Sequence, residues 1–204
     1  MEILELNSDF VVCLKPVGLD SEHDMPQILS SELSRTFFPV HRLDKNVAGI
    51  MVFAASTASA GTLSALIQKG LFCKEYMALC HGRPPESGTF EDLLFKDSRK
   101  NKVFVVNRMR KGVKSAKLSF QLIRVFESNQ TSLVRIHLYT GRSHQIRVQF
   151  ASRGFPLVGD HKYGAADAYP NPQLYACFVS FPWKGQLLQF EHIPLWAEQT
   201  DELT

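Results

Sequence analysis

Two short runs of charged residues lie next to apolar segments that predict buried strands. The run His41-Arg42-Leu43-Asp44 precedes the apolar segment 49–55, and the run 140–147 follows the alternating segment 134–138. Charge at the end of a buried strand is costly unless the charged groups meet each other. We therefore expect Asp44 to meet one of the arginines of these runs in a pocket.

A carboxylate held between arginines is chemically suited to act as a nucleophile or a base. The two runs contain no second carboxylate and no cluster of metal ligands, so they do not predict a metal site. Strand alternation, continued through the first run, would direct Arg42 and Asp44 to the same face. The alternative explanations are a turn aspartate that caps the next element and an arginine in a structural salt bridge.

Strand patterns outnumber helix patterns, and hairpins connect most of the predicted strands. The predicted strands are 10–14, 49–55, 74–80, 103–106, 116–126, 132–139, 175–181 and 186–192. The predicted helices are 25–35, 59–69 and 144–153, with Gly70 at the C-terminal cap of the second. These elements predict an α+β fold with a mixed, mainly antiparallel sheet flanked by helices and loops. Because no repeat or linker divides the chain, we expect a single domain over residues 1–204.

The net charge of +3 is unevenly distributed along the chain. Residues 96–117, called the basic segment below, carry nine basic side chains and one acid. This segment therefore has a net charge of +8, and the rest of the chain has a net charge of −5. Such a segment indicates a polyanionic partner, and a solvated hairpin or flexible loop is the alternative.

Cysteine usage and the absence of targeting signals indicate a cytoplasmic protein. The four cysteines are scattered without a C-x-x-C pair, which favours free thiols in a reducing compartment. The first residues lack the pattern of a signal peptide, and no apolar run approaches the ~20 residues of a membrane helix. We also find no dinucleotide fingerprint, P-loop, G-x-S-x-G elbow or zinc helix, so we expect no cofactor.

Five motifs occur in order between residues 15 and 164, within a stretch of similar pattern that runs from about residue 3 to residue 192. They are Lys15-Pro16-x-Gly18-Leu19, His41-Arg42-Leu43-Asp44-x-x-x-x-Gly49, Lys74-x-Tyr76-x-Ala78, Gly141-Arg142-Ser143-His144-Gln145-Ile146-Arg147 and Pro156-Leu157-Val158-Gly159-Asp160-x-x-Tyr163-Gly164. Together these motifs resemble the RluA family of RNA pseudouridine synthases. The resemblance implies the pseudouridine synthase-like fold, and the catalytic domain without the S4 domain that many relatives carry.

The resemblance also implies an isomerase that converts specific uridines of tRNA or rRNA to pseudouridine after base flipping. It implies Asp44 as the essential carboxylate, which either attacks covalently or abstracts a ribose proton. Tyr76 would stack on the flipped base, and Arg147 would be the partner of Asp44. Arg42 would enter the RNA stack where the uridine leaves.

Other residues of the motifs and of the basic segment are expected to contact RNA or the base. The expected RNA contacts are Lys74, Arg142, His144, Lys100, Lys102, Arg108, Arg110 and Lys111, and the expected walls of the base pocket are Leu157 and Val158. Phosphate contacts of this kind are salt-dependent. The alternatives are a supporting role for Lys74, loop bracing by Arg142 and ordinary core packing of the two apolar residues. We do not assign His41 or His144 as a general base.

One departure from the family pattern is Val47-Ala48, where relatives usually have Thr-Ser, so two hydroxyls near the motif are lost.

The expected partner is structured RNA, such as a tRNA or rRNA stem-loop, and we expect a monomer without metal or membrane contact. Two other functions stay open. One is a non-catalytic RNA-binding module, and the other is an Asp-nucleophile hydrolase with a His–Asp relay and no need of a basic segment.

Overall fold

The computed structural model describes residues 1–198, so the last six residues of the predicted domain, 199–204, lie outside the described part. In chain order the elements are β1 (Ile3–Leu6), β2 (Phe10–Lys15), α1 (Asp24–Leu33), β3 (Phe38–Pro39), β4 (Ala48–Ala54), α2 (Thr57–Gln68), β5 (Cys73–His81), β6 (Ser87–Asp97), β7 (Lys102–Val106), β8 (Val113–Phe126), β9 (Thr131–Leu138), α3 (Gln145–Ala151), a 3-10 turn (His161–Tyr163), β10 (Leu174–Trp183), β11 (Gln186–Glu191) and α4 (Leu195–Glu198). No helix in residues 1–198 is long and apolar enough to cross a membrane. The predicted α+β class with a mainly antiparallel sheet is confirmed.

The chain forms two compact units, of which unit 1 comprises residues 1–74 and 175–194. Its strands follow the order β1-β2-β4-β10, with β11 paired to β10 and β3 paired to β4. All of these pairs are antiparallel except β4 with β10, which is parallel. Strand β4 has neighbours on both sides, and this explains why its sequence is an unbroken apolar run.

The core of unit 1 lies between this sheet and α2. It consists of Phe10, Val12, Ile50, Val52, Ala54, Leu63, Phe72, Val179 and Phe181. The rings of Phe72 and Phe181 stack with centroids 5.0 Å apart. A capping box between Ser56 and Ser59 starts α2, and Gly70 follows its last turn with a φ of +70°, so the predicted cap is confirmed.

Unit 2 comprises residues 75–174 and, within the described part of the chain, residues 195–198. Its strands form an antiparallel arrangement in the order β5-β9-β8-β6-β7. Helix α3 covers one face, where the ring of Phe150 packs 5.2 Å from Phe90 and 5.3 Å from Phe120. Val148 of α3 joins Leu94 in a second apolar cluster on the same face.

Strand β6 is the longest element that the sequence pattern does not predict. Its outward positions carry polar residues such as Glu91, and its inward positions include Asp92, which interrupts the apolar alternation. Asp92 is tolerated on the inner side because Arg153 and Gln149 donate hydrogen bonds to its carboxylate at 2.9 and 2.7 Å. The strands and helices that were predicted are all confirmed, and their ends agree within a few residues.

Candidate active site

Asp44 lies in the loop between β3 and β4 of unit 1 and not in a strand, so strand alternation as the reason for its direction was wrong. The backbone oxygen of Asp44 accepts a hydrogen bond from the Val47 amide at 3.0 Å, which closes a turn. Burial nevertheless alternates along the loop: Arg42 is exposed, Leu43 is buried and Asp44 is half-buried. The carboxylate therefore lies at the surface of the unit while Leu43 anchors the loop.

Two side chains from the preceding segment hold this loop in place. The Ser21 hydroxyl donates to the Leu43 oxygen at 2.9 Å and accepts from the Leu43 amide at 3.3 Å. The Lys15 ammonium donates to the backbone oxygens of Pro16, Leu19 and Lys45, at 2.8, 2.9 and 3.3 Å. The Lys45 oxygen follows Asp44 directly, so Lys15 braces the peptide next to the predicted catalytic carboxylate.

Lys15 is a positioning residue to which the sequence pattern assigned no role, although it lies in the first motif. Its side chain is only 1% exposed, and burial lowers its pKa to about 8. The nearby carboxylates of Asp20, Asp44 and Asp24 oppose this shift because they favour the charged ammonium. Near neutral pH the site therefore contains a buried cation beside Asp44.

Arg42 points outward and pairs with Glu22 at 2.5 Å. Both side chains are exposed, at 53% and 43%, so the pair is a weak surface ion pair that a stronger anion can displace. The turn that carries Glu22 is itself ordered, because the Asp20 carboxylate accepts from the backbone amides of Glu22 and His23 at 2.8 and 2.9 Å. The same contacts hold the pKa of Asp20 below its ordinary value.

His41 is a structural residue, which agrees with its not being assigned as a general base. Its Nε2 accepts a hydrogen bond from the Val52 amide at 3.0 Å, which places the proton of the neutral ring on Nδ1. Burial and the charge of Lys74 lower the pKa of His41 to about 3. The ring therefore stays neutral and braces the loop against β4. Burial likewise lowers the pKa of Lys74.

Tyr76 lies in β5 of unit 2, and its ring is 6% exposed. It pairs across the sheet with Ile136, and Ile136 pairs with Phe120. Directly opposed side chains lie on the same face, and the Phe120 ring packs against α3. Tyr76 is therefore on the face of the unit 2 sheet that carries the helix of Arg147.

Arg147 lies in α3 and is held by a carboxylate that the sequence analysis did not assign. Its Nε donates to Asp160 Oδ2 at 2.7 Å and its Nη2 donates to Asp160 Oδ1 at 2.8 Å. The two side chains are 6% and 1% exposed. This bidentate pair orients the guanidinium in a region from which water is excluded. Asp160 was present in the fifth motif, so motif position was the available signal.

The loop before α3 is braced by its own polar residues. Gln145 is 2% exposed, and its Oε1 accepts from the Arg142 amide at 3.0 Å and from the Thr140 hydroxyl at 2.8 Å. Arg142 Nε donates to the Ser115 oxygen at 2.9 Å, which is the bracing alternative considered for this residue. His144 has a φ of +51°, so the chain changes direction where the helix begins.

The ring of Tyr163 connects this loop to β7. Its hydroxyl accepts from the Val103 amide at 2.9 Å and lies 2.8 Å from His144 Nδ1. The Arg147 guanidinium carbon lies 5.2 Å from the centre of the same ring. His144 and Arg147 are thus positioned by one tyrosine, a role that sequence reasoning did not predict for Tyr163.

Leu157 and Val158, the predicted walls of the base pocket, are buried at 0% and 2% exposure. The Val158 amide donates to the Leu79 oxygen at 2.9 Å, so the segment is bonded to β5. The Asp167 carboxylate fixes the next turn, since it accepts from the Gly159 amide at 2.9 Å and contacts His81 Nε2 at 2.7 Å. This His–Asp contact braces a turn of unit 2.

The basic segment surrounds β7, which pairs only with β6 among the described strands. The predicted RNA contacts fall in three places: Lys100 in the β6–β7 turn, Lys102 in β7, and Arg108, Arg110 and Lys111 in the β7–β8 loop. The segment therefore extends from the end of β6 through β7 into the start of β8. Arg110 lies over the ring of Phe95, with its guanidinium carbon 4.9 Å from the ring centre.

Residues 9–152 match the family model described as RNA pseudouridylate synthase. This match covers more than half of the chain, which therefore belongs to the RNA pseudouridylate synthase family, as the motif order predicted. The match includes the predicted catalytic residues Asp44, Tyr76 and Arg147.

Individual relatives agree with this assignment. A chain from Chloroflexus aurantiacus, described as an uncharacterized RNA pseudouridine synthase, is 36% identical over 129 residues, which are 61% of this chain and 38% of the relative. Ribosomal large subunit pseudouridine synthase D from Vibrio vulnificus is 30% identical over 168 residues, which are 79% of this chain and 50% of the relative. This chain thus spans half or less of the length of these two curated relatives.

The fold is also similar to a solved structure, human RNA Pseudouridylate Synthase Domain Containing 1. The TM-score is 0.82, with 22% sequence identity, 95% of this chain covered and 83% of the human chain covered. At 22% identity this structural similarity establishes the fold alone.

Proposed function

We propose that this chain isomerises uridine to pseudouridine in RNA. The observation that carries the proposal is the family match over residues 9–152, which contains Asp44, Tyr76 and Arg147. The reaction breaks the bond between N1 and C1′, joins C5 to C1′, releases the C5 proton and returns a proton to N1. Because atoms and electrons balance without an oxidant or reductant, the reaction requires no redox cofactor.

Asp44 is the carboxylate that acts at the sugar. Two forms of the step fit its position in a braced loop: attack on C1′, or removal of a ribose proton. In both forms the carboxylate must be ionised and fixed, and the contacts of Lys15 and Ser21 with its loop serve that need. Arg147, fixed by Asp160, supplies a positive charge of set orientation.

Tyr76 provides a ring on which the detached base stacks while it turns. Stacking of a base on an aromatic ring is worth about 1–3 kcal/mol and tolerates any base, so it can hold the base in both orientations. Leu157 and Val158 line the base pocket beside it. Arg42 enters the stack as the uridine leaves, and its weak pair with Glu22 is exchanged for RNA contacts.

The basic segment and the motif residues bind the RNA backbone. Lys74, Arg142 and His144 supply contacts near the site, while the exposed cations around β7 supply salt-dependent contacts farther along the RNA. We propose a stem-loop of tRNA or large-subunit rRNA as the substrate, a cytoplasmic monomer as the working form, and one catalytic domain formed by the two units together. The family match extends over residues of both units, which supports the last point.

The test incubates wild type, Asp44→Asn and the control Asp97→Asn with total tRNA and rRNA from a strain lacking the gene. Asp97 is a matched carboxylate whose Oδ1 accepts from the amides of Arg99 and Lys100 in the β6–β7 turn. Carbodiimide-based sequencing then maps pseudouridine. We expect one or more new sites with wild type and Asp97→Asn and none with Asp44→Asn. If all three proteins bind RNA and none makes pseudouridine, the chain is an RNA-binding module and the proposal is wrong.

A further inference from the structure

The two faces of the unit 2 sheet differ in what covers them. One face carries Tyr76 and the apolar residues that pack against α3. The pairing register places a different set on the other face, since Lys117 is opposite Glu91, Ser119 is opposite His137, and Phe95 is opposite Phe104. We call this second set the open face, defined by Lys117, His137, Tyr139, Phe95, Phe104 and Arg110.

The first part of the open face is centred on Tyr139, whose side chain is 56% exposed. Its ring meets the His137 ring edge to face at 4.6 Å, and the Lys117 ammonium lies 5.5 Å from its centre. The Ser119 hydroxyl lies 3.4 Å from the Tyr139 hydroxyl. An exposed aromatic ring is thus held in a defined orientation by three polar or aromatic neighbours.

The second part lies four residues along β6, about 14 Å away at the rise of a strand. Here Phe95 and Phe104 are cross-strand neighbours. Arg110 lies over the Phe95 ring at 4.9 Å, and the Lys102 ammonium lies 5.9 Å from the centre of the Phe104 ring. Phe104 is 36% exposed on the edge strand β7.

Each part of the open face therefore combines an aromatic ring with a cation on a sheet surface. Proteins that bind single-stranded RNA use this combination, because the ring stacks on a base and the cation contacts phosphate. The charge favours RNA over a protein partner, since the basic segment with its net charge of +8 borders this face. The acids on this face are Glu91, Glu75 and Asp97. Two of them are matched by cations, since Lys117 pairs with Glu91 at 2.6 Å and Arg135 pairs with Glu75 at 2.6 Å.

We infer that the open face is a second RNA-binding surface, which stacks unpaired bases of the substrate RNA away from the modified uridine. The inference rests on the proposed function only in taking RNA as the substrate. The basic edge around β7 lies between the two faces of the sheet. The cations of this edge are therefore placed to contact the phosphates of an RNA strand whose bases stack on the open face.

The test measures binding of a fluorescein-labelled 12-nucleotide oligouridine to wild type, Tyr139→Leu and Tyr139→Trp. Leucine keeps an apolar side chain and removes the ring, whereas tryptophan keeps a ring that can stack. The control is Ile123→Ala, because Ile123 is a 46% exposed apolar residue of the same strand as Lys117. Thermal melting verifies that each variant is folded.

We expect Tyr139→Leu to weaken oligouridine binding about 5- to 150-fold, the equivalent of one lost base stack. Tyr139→Trp and Ile123→Ala should bind like wild type, and oligouridine should quench the fluorescence of the new tryptophan. Equal affinity of Tyr139→Leu and wild type overturns the inference. So does an equal loss in Ile123→Ala, which would point to a general disturbance of the sheet.

The two proposals fail in different ways. If oligouridine binding depends on Tyr139 but no RNA acquires pseudouridine, the open face binds RNA as inferred and the proposed reaction is wrong. If pseudouridine forms and Tyr139→Leu binds oligouridine as tightly as wild type, the reaction stands and the open face does not bind bases.

Discussion

The buried pair between Arg147 and Asp160 offers the sharpest test of how the site is held. Asp160→Asn keeps the size of the side chain and one oxygen acceptor but removes the negative charge. The two side chains are 6% and 1% exposed, so water cannot replace the lost charge. Loss of one partner of a buried pair costs about 3–5 kcal/mol, because the remaining charge stays buried.

This cost is large compared with the stability of the protein. Folded proteins are stable by about 5–15 kcal/mol, and in a chain of this size each 1 kcal/mol shifts Tm by about 2–4 °C. We therefore expect Asp160→Asn to lower Tm by about 6–20 °C, measured by differential scanning calorimetry and by urea denaturation at pH 7.

The double-mutant cycle separates the pair from other effects of the substitution. Arg147→Met removes the charge that Asp160 faces, so Asp160→Asn should cost much less in that background than in wild type. A coupling near zero, or a Tm of Asp160→Asn within about 2 °C of wild type, would refute the claim that this pair fixes the guanidinium.

Three further predictions concern the loop of Asp44, the proposed catalytic carboxylate, and the strand β4 that follows it. Glu22→Gln frees Arg42 from a pair worth about 0.2–1 kcal/mol, so RNA affinity measured by filter binding should rise up to about 5-fold, and a fall would contradict this competition. Lys15 has a folded pKa of about 8, below its ordinary value, so between pH 8 and 10.5 the unfolded chain binds more protons. Between pH 8 and 10.5 the contribution of Lys15 to the free energy of unfolding, measured by urea denaturation, should therefore rise with pH. Over the same range kcat/KM, measured in a pH-rate profile, should fall because the ammonium loses its charge. Lys15→Met should show neither trend. Gly49→Ala should destabilise by about 2–6 kcal/mol in urea denaturation, because a Cβ would lie 2.4 Å from the Ala176 oxygen at a φ of +126°, and wild-type stability would contradict the close approach of β4 and β10.

The sequence predicted those parts of the fold in which local pattern and tertiary packing agree. The apolar run of β4 is buried on both sides, and α2 ends just before its glycine as the sequence indicated, so both elements were predicted within a few residues. Strand β6 was not predicted because its stability comes from neighbours distant in sequence. Among them, Arg153 donates to Asp92 on the inner face.

The predicted site residues also show that local sequence pattern does not predict contacts between residues distant in sequence. Motif order identified Asp44, Arg42 and Arg147, but local pattern does not identify the partners of such residues. Asp160 lies 13 positions after Arg147, and Glu22 lies 20 positions before Arg42, at spacings that no helix or strand period implies. The strand pattern also extended too far, since the run that contains Asp44 is a loop held by side chains from another segment.

Lys15 is a motif residue that holds the loop of another motif residue, Asp44, in position. Its ammonium donates to two backbone oxygens in the turn that follows β2, those of Pro16 and Leu19, and to the backbone oxygen of Lys45, the residue after Asp44. A neutral amine has only two hydrogens for three acceptors. The charge on this buried lysine is therefore tied to the order of the loop that carries Asp44, and this is the structural reason for the predicted fall of kcat/KM at alkaline pH.

The measurement that tests the central claim most directly is tritium release from RNA labelled at C5 of uracil. Formation of the bond between C5 and C1′ expels the hydrogen of C5, so each pseudouridine releases one tritium to water. With the RNA identified by mapping, wild type should release tritium in proportion to pseudouridine formed, and Asp44→Asn should release none while still binding that RNA. Equal release by both proteins would contradict the role of Asp44, and no release by wild type from any RNA that it binds would contradict the reaction itself.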